Sequence, residues 1–185
     1  MARIKIEGME AVTKELNRIR TAQAPAINRA IEDAVKFGEK ATVDAIFARY
    51  GFSSRSYIEQ HLSVSFDPRN LKGYITARYR ASTLTRYARA LTRTGKNGGS
   101  RPDGHMISAL RNQPIWFKGT FTVIGRNGNQ IMFQRQKGDN SWRKLKGQKA
   151  MYGPSVAGSF SKIRDDIEPP IIAHLRNKYG QYANR

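Results

Sequence analysis

The chain has 185 residues, of which 33 are Lys or Arg and 14 are Asp or Glu, so its formal net charge is +19 at pH 7. Hydrophobic residues make up 39% of the sequence, which is enough to build a core and argues against global disorder. The lack of cysteine excludes disulfides, thiolate catalysis and cysteine-ligated zinc. No apolar run approaches the roughly 18 residues that a membrane-spanning helix needs, so we expect no membrane partner.

The excess positive charge is concentrated in the middle of the chain. Residues 51–149 contain nineteen basic and four acidic side chains, whereas the segments before and after them are nearly balanced. Between Pro68 and Pro102 there are nine basic residues and no acidic one. A surface without compensating acids repels itself, and this favours an anionic partner, either nucleic acid or an acidic protein surface.

Seven basic residues of this acid-free stretch are the candidates for contact with DNA or with a partner protein. Arginine predominates among them, and its planar guanidinium suits bidentate contact with phosphate or carboxylate. The candidates are Arg78, Arg80, Arg86, Arg89, Arg93, Lys96 and Arg101. Composition alone does not decide between the two kinds of anionic partner, and a simple solvated face remains an alternative.

Two long amphipathic helices are predicted at the N-terminal end. Apolar residues recur at helical spacing from Met9 to Ile19. Pro25 suits the first turn of a second helix, which should end near Gly51. The apolar stripe of this second helix is rich in alanine and includes Gly38, and such small residues allow close approach of a sheet or of a neighbouring subunit.

The pattern then changes to the alternation that is typical of antiparallel strands. Strands are predicted around 62–66, 74–79, 115–124, 131–135 and 142–145. The Asn127-Gly128 pair predicts a tight hairpin turn. A short helix over 84–91 would carry three of the candidate arginines on its exposed side. The Gly- and Ser-rich run 94–104 predicts a flexible basic loop.

A C-terminal amphipathic helical segment is predicted over 157–185, and Pro169-Pro170 should divide it. The order of helices, then strands, then a terminal helix predicts one α+β domain over 1–185. Its expected architecture is two long N-terminal helices, an antiparallel β-sheet with a long basic loop, and a C-terminal helix packed on the sheet.

Catalytic and metal-binding patterns are missing from the sequence. The histidines are His61, His105 and His174, and none has the spacing of a zinc site. Glycine-rich phosphate loops and nucleophile elbows do not occur, and the carboxylates of the basic middle segment are too scattered for a metal nuclease. We therefore expect a protein that is not an enzyme and needs no cofactor.

The segment Tyr152-Gly153-Pro154-Ser155-Val156 predicts a rigid corner before the last helix. Gly153 can adopt a positive φ, Pro154 fixes the next φ, and Ser155 can cap the following helix. A well-made connection between a strand and a helix explains these residues without any further function.

Together with the hairpin strands 119–124 and 131–135 and the basic strand 142–145, this corner resembles the minor tail protein Z family of lambda-type tailed bacteriophages. Proteins of that tail completion family have a similar corner between a basic β-hairpin and a C-terminal amphipathic helix. The opening of the chain is also similar, with a short lead at Ile4–Met9 before a long Ala-rich helix. The resemblance covers most of the chain as a layout and the corner as a motif.

The resemblance implies a structural virion protein, made in the host cytoplasm and located at the head–tail junction. Such a tail completion protein would aid head–tail joining and the passage of DNA. Tail symmetry suggests a homo-oligomeric ring of six subunits. Its partners would be tail terminator and head–tail connector proteins, with packaged DNA in the lumen, where an arginine-rich face could contact phosphates without reading sequence.

The alternative is a stand-alone protein that binds nucleic acid without sequence specificity. Aromatic residues interleave with the arginines and could stack on bases. These residues are Tyr57, Tyr74, Tyr79, Tyr87 and Trp116. Core packing is the other explanation for tyrosines at strand positions.

Overall fold

The computed structural model describes residues 9–135 and 150–184. The protein is of the α+β class, with antiparallel strands and a C-terminal helix that packs on them. The helices are α1 (Met9–Arg49), α2 (Arg55–Glu59), a 3₁₀ turn (Leu84–Tyr87) and α3 (Val156–Ala183). The strands are β1 (Leu62–Asp67), β2 (Lys72–Ala77), β3 (Ser82–Thr83), β4 (Ala88–Thr94), β5 (Ser100–Ile107), β6 (Ile115–Phe117), β7 (Thr120–Ile124), β8 (Gln130–Gln134) and β9 (Tyr152–Gly153).

The strands form four small sheets, β1–β2, β3–β9, β4–β5–β6 and β7–β8. The contacts of the chain divide into two compact units. Unit 1 comprises Met1–Glu39, Val64–Ile75 and Glu168–Arg185, and unit 2 comprises Lys40–Ser63 and Thr76–Ile167. The single domain over 1–185 stays a prediction.

In unit 1, glycines allow α1 to lie close to its neighbours. A Cβ added to Gly38 would lie 2.5 Å from Ile75 of β2 and 2.9 Å from Ile171 of α3. A Cβ added to Gly73 of β2 would overlap the side chain of Val35 on α1. The small residues of the predicted stripe therefore serve helix–sheet and helix–helix packing within the chain.

The core of unit 2 is an aromatic cluster around Phe52, whose exposed fraction is 2%. The ring of Tyr87 lies 4.9 Å from that of Phe52, and Tyr57 lies 5.8 Å away on another side. Tyr57 also contacts the ring of His61 at 4.3 Å. Because these residues come from α2, the preceding loop and the 3₁₀ turn, the cluster fixes the start of the β-rich region to the end of α1.

The C-terminal end of α1 is held by the segment Ala109–Arg111, and we call this contact the α1 junction. Arg111 Nε donates to the carbonyl oxygen of Phe47 at 2.7 Å, and its guanidinium lies 4.1 Å from the centre of the Phe47 ring. The Arg111 backbone N–H donates to Arg49 O at 3.1 Å. A cation placed there satisfies helix-terminal carbonyls and complements the negative end of the helix dipole.

The prediction of two N-terminal helices was wrong, because α1 continues through Pro25. Pro169 and Pro170 likewise lie inside α3 and do not divide it. Proline has a φ that a helix accepts and forfeits one backbone hydrogen bond, a loss that long flanking helical segments can absorb. In the described part of the chain, no helix is both long and apolar enough to cross a bilayer.

The helix predicted over 84–91 was wrong, and the loop predicted over 94–104 is shorter than expected, since only residues 95–99 lie between β4 and β5. The helical region there is only a 3₁₀ turn, after which β4 begins at Ala88, and 100–107 forms β5. Pairing between β4 and β5 satisfies the backbone groups of both segments, and this long-range contact outweighs the loop-like composition. The predicted strand 142–145 lies outside the described residues.

The Asn-Gly hairpin was predicted correctly. β7 and β8 pair antiparallel, and Gly128 lies in the turn with φ of +74°. The predicted strand 115–124 is two strands, since Gly119 adopts φ of +74° between β6 and β7. Both glycines occupy the left-handed region that other residues seldom adopt.

Candidate anion-binding surface

The β4–β5 hairpin carries the densest group of predicted contact residues. Arg93 pairs directly with Arg101 across the two strands, and Lys96 lies in the turn between them. The turn is closed by Gly95 N–H donating to Gly99 O at 2.7 Å. We call Arg93, Lys96 and Arg101 the hairpin tip, and all three are exposed.

The arrangement of charge at the hairpin tip is unfavourable for the isolated protein. Like charges directly opposite each other on a strand pair repel and destabilise it. Arg93 Nε has Asp103 Oδ1 at 3.6 Å, a partly exposed pair of small energetic value. Lys96 and Arg101 have no acidic partner among the described residues. The tip therefore presents cationic donors that the fold itself does not use.

A β-bulge in β5 shapes the base of the hairpin. The register changes between Ala90 and Thr92, so that Asp103 and Gly104 together lie opposite Leu91. Gly104 has φ of +83°, and an added Cβ would overlap the carbonyl oxygen of Phe117 on β6. The bulge interrupts the ladder, which resumes at Thr92 and Pro102, and the missing Cβ of Gly104 leaves room for the backbone of β6.

His105 follows the bulge and has a structural partner. Its Nδ1 lies 2.9 Å from Thr120 Oγ1, and that hydroxyl donates to Phe117 O at 2.8 Å. Because the hydroxyl hydrogen is already used, Nδ1–H is the donor to Thr120. Burial lowers the pKa of His105 below its ordinary value of 6.5, although the contact with Thr120 acts in the opposite direction.

Two further predicted residues, Arg80 and Arg86, line a cleft of about 470 Å³ in unit 2. One wall is the 3₁₀ turn with β3, and the opposite wall is the turn between β7 and β8. Tyr152 of the corner also lines it. We call this the arginine cleft. Arg78 and Arg89 are exposed but belong neither to the cleft nor to the hairpin tip.

The corner residues Tyr152 to Val156 are held by both backbone pairing and side-chain contacts. β9 pairs with β3, with Ser82 opposite Gly153. The Tyr87 hydroxyl donates to Pro154 O at 2.6 Å. Ser155 Oγ accepts the Gly158 N–H at 3.0 Å, which is the predicted cap of the last helix, and Val156 is buried.

Gly153 corrects one expectation about the corner, because its φ is not positive. The reason for a glycine is steric, since an added Cβ would lie 2.5 Å from the Tyr87 ring. The corner thus connects the last strand rigidly to the first turn of α3. Tyr87 is central to this connection, because it contacts both Gly153 and Pro154.

The predicted stacking platforms divide into buried and exposed aromatic residues. Tyr87 has an exposed fraction of 4% and belongs to the core, whereas Tyr57 is half-buried beneath Arg86 and lines the arginine cleft. Tyr74 and Trp116 are about half exposed. Tyr79, between Arg78 and Arg80, is 81% exposed and is the most accessible of the five.

Sequence reasoning missed the structural arginine of the α1 junction and the amide-bearing wall of the arginine cleft. Arg111 stands in no motif, and its partner carbonyl is 64 positions away in the chain. The Asn-Gly pair revealed the β7–β8 turn but not its position opposite Arg86. Within residues 9–135 and 150–184, no group of three or more His, Asp or Glu side chains is arranged to hold a metal ion.

Comparison of the chain with protein-family models, with curated proteins and with solved structures gave no match.

Proposed function

We propose that this chain is a structural, non-enzymatic virion protein of a tailed bacteriophage, a tail completion protein at the head-proximal end of the tail. The proposal rests on the resemblance of the corner and its hairpin to the minor tail protein Z family, and on the exposed hairpin tip. The protein would form a ring, with six subunits as the expected number, and join tail terminator to head–tail connector proteins around the DNA passage.

The hairpin tip is the observation that carries this proposal. Arg93 and Arg101 face each other at a cost in stability, and only Arg93 has an acidic neighbour within the described segments. An anionic partner, either an acidic protein ring or DNA phosphates, would remove the repulsion on assembly. A structural protein that acts through surfaces accounts for such a feature, because its charge becomes compensated only in the complex.

The location is tested by cryo-electron microscopy of the particle that contains the protein. We expect density for the chain at the head–tail junction, with the β4–β5 hairpin at a contact. Density anywhere else in the particle would overturn the proposal.

The role of the hairpin tip is tested by assembly with purified tail terminator and connector proteins, followed by sedimentation. The variant Arg93→Ala/Lys96→Ala/Arg101→Ala should assemble at least about tenfold less well. Its control is Arg69→Ala/Lys162→Ala/Arg176→Ala, which removes the same charge from other exposed positions and should assemble normally. Equal assembly of the two variants would show that the tip is not a contact.

A stand-alone nucleic-acid-binding protein is the second candidate, and the exposure of Tyr79 between two arginines favours it. The discriminating measurement is a salt titration of duplex DNA affinity with the isolated chain. Tight binding near physiological salt, with a steep decrease as salt rises, favours this candidate, and weak binding favours the virion protein.

A further inference from the structure

The arginine cleft is a second cationic feature, separate from the hairpin tip, and its walls are held together before any ligand arrives. Thr85 Oγ1 of the 3₁₀ turn donates to Gln130 O of β8 at 3.1 Å. Thr83 Oγ1 lies 2.9 Å from Thr85 Oγ1 and donates to it, since the Thr85 hydrogen is already used. The cleft therefore does not have to close around a ligand, and a ligand loses little affinity to ordering.

Arg86 is positioned by an aromatic platform. Its guanidinium carbon lies 3.9 Å from the centre of the Tyr57 ring, and Tyr57 Oη lies 3.0 Å from the hydroxyl of the fully buried Ser82. Stacking uses the face of the guanidinium and leaves the N–H donors in its plane available. The described residues form no ion pair with Arg86, so its N–H donors remain available to a ligand.

The charge in the cleft is of one sign. Arg80 and Arg86 both line it, and no acidic side chain does so among the described residues. Two guanidinium groups with planar donors match the oxygens of a phosphate or a carboxylate. The chemistry of the remaining lining residues decides between these two anions.

Several of the other lining residues are of types that recognise nucleotide bases, namely an exposed tyrosine and three amides. Tyr152 is 58% exposed at the cleft, and Tyr79, which directly precedes Arg80 in the chain, is exposed more strongly. Asn127, Asn129 and Gln130 also line the cleft, and amide side chains can offer both donors and acceptors to a base edge, although Asn127 Oδ1 already accepts the Asn129 N–H at 3.3 Å. An acidic peptide would need neither an exposed aromatic ring nor a row of amides.

We infer that the arginine cleft binds one nucleotide unit of a single-stranded nucleic acid, with the phosphate at Arg80 and Arg86 and the base against Tyr152. A volume of about 470 Å³ is within the range of small-ligand sites, whereas a base-paired duplex keeps its bases stacked and cannot insert one. The contacts are independent of base identity, apart from what the amides add.

This site specifies how the second candidate function, nucleic-acid binding, would operate, and it does not depend on the virion role. The location in the particle and the hairpin-tip variant test the virion role, whereas variants of the cleft test nucleotide binding by the free chain. The virion role can therefore be disproved while nucleotide binding is supported, and the reverse is also possible.

The experiment measures fluorescence anisotropy of a short labelled oligothymidylate with the full chain. Arg86→Ala should weaken binding about tenfold or more, and Tyr152→Ala at least about fivefold, the lower end of what a stacked base contributes. Tyr152→Phe keeps the ring and should bind as the unchanged protein does. Arg176→Ala removes one exposed charge far from the cleft residues in the chain and should weaken binding about twofold or less.

A second measurement needs no substitution. Thymidine monophosphate added to the unchanged protein should shift the NMR signal of Arg86 Nε–H, and inorganic phosphate should shift it only at higher concentration, because it lacks the base.

A third measurement uses Arg86→Lys, which keeps the charge and loses the planar donors. This variant should bind oligothymidylate more weakly with an unchanged unfolding temperature.

Three outcomes would overturn the inference. The first is an equal loss of affinity in Arg86→Ala and Arg176→Ala, which would show that only net charge matters. The second is full binding by Tyr152→Ala. The third is displacement of the oligothymidylate by an oligoglutamate of equal charge as readily as by unlabelled oligothymidylate, which would assign the cleft to an acidic protein segment.

Discussion

The α1 junction and the hairpin tip are both rich in arginine, yet their arginines have different partners. At the junction, Arg111 donates to a helix-terminal carbonyl and lies against an aromatic ring. At the tip, Arg101 faces Arg93 and forms no ion pair with an acid of the described segments. Unit 2 therefore contains both arginine whose donors are used within the fold and arginine that forms no ion pair with a described acid, and their contacts distinguish them.

The largest expected effect on stability is a difference between two glycines, one in each of these two regions. A Cβ added to Gly51, beside the α1 junction, would overlap the carbonyl oxygen of Ser108, whereas one added to Gly99 in the hairpin turn would meet nothing within 4 Å. Gly51→Ala should lower the free energy of unfolding by about 3 kcal/mol or more, because backbone must move. Gly99→Ala should stay within about 0.5 kcal/mol.

Urea denaturation measures both values. Similar unfolding free energies for the two variants would mean that the α1 junction is packed no more tightly than the hairpin turn, which would contradict the contrast drawn between the two regions.

The next effect concerns the arginines themselves. Arg111→Ala removes a hydrogen bond to Phe47 O and a cation–π contact, and should cost about 1–2 kcal/mol, a range reduced because the side chain is exposed. Arg101→Ala should change stability by less than about 0.5 kcal/mol, or raise it slightly through relief of repulsion with Arg93. Thermal unfolding of both variants at low and high salt checks this, and a larger loss in Arg101→Ala would contradict it.

A smaller effect separates two tyrosines. Tyr87→Phe removes the hydroxyl that donates to Pro154 O and should cost about 1 kcal/mol, since the carbonyl loses its partner inside the corner. Tyr79→Phe alters an exposed ring and should leave stability unchanged. Burial raises the pKa of Tyr87, so a spectrophotometric titration should show this tyrosine ionising above the ordinary pH range of a tyrosine.

The smallest expected effect is a pH dependence at the base of the hairpin. Burial lowers the pKa of His105 below 6.5, so the folded protein favours the neutral ring. This contribution to stability is fully present above the unfolded value of 6.5 and is lost as pH falls through the lower folded value. Urea denaturation between about pH 8 and 5 should therefore show a decline that is weaker in His105→Asn. Equal declines would show that His105 does not contribute.

Local features of the sequence predicted local features of the structure. Asn127-Gly128 gives a hairpin because glycine accepts the positive φ of the turn, and Ser155 caps α3 because its hydroxyl reaches an N–H three residues ahead. Composition predicted a loop over 94–104, which is correct for residues 95–99 but wrong for 100–104, which belong to β5. Pairing of Ser100–Ile107 with two neighbouring strands overrides that propensity.

By itself, the sequence determined the α+β class, the concentration of positive charge in the middle of the chain, and the exposure of the seven candidate cations, because each follows from residue type and short-range spacing. Only the tertiary structure decided which cations stand together. The register of β4 and β5 places Arg93 opposite Arg101, and the turn between β7 and β8, some forty residues further along the chain, completes the cleft that Arg80 and Arg86 line. Such arrangements depend on strand register and on contacts between distant segments, which the local sequence pattern does not predict.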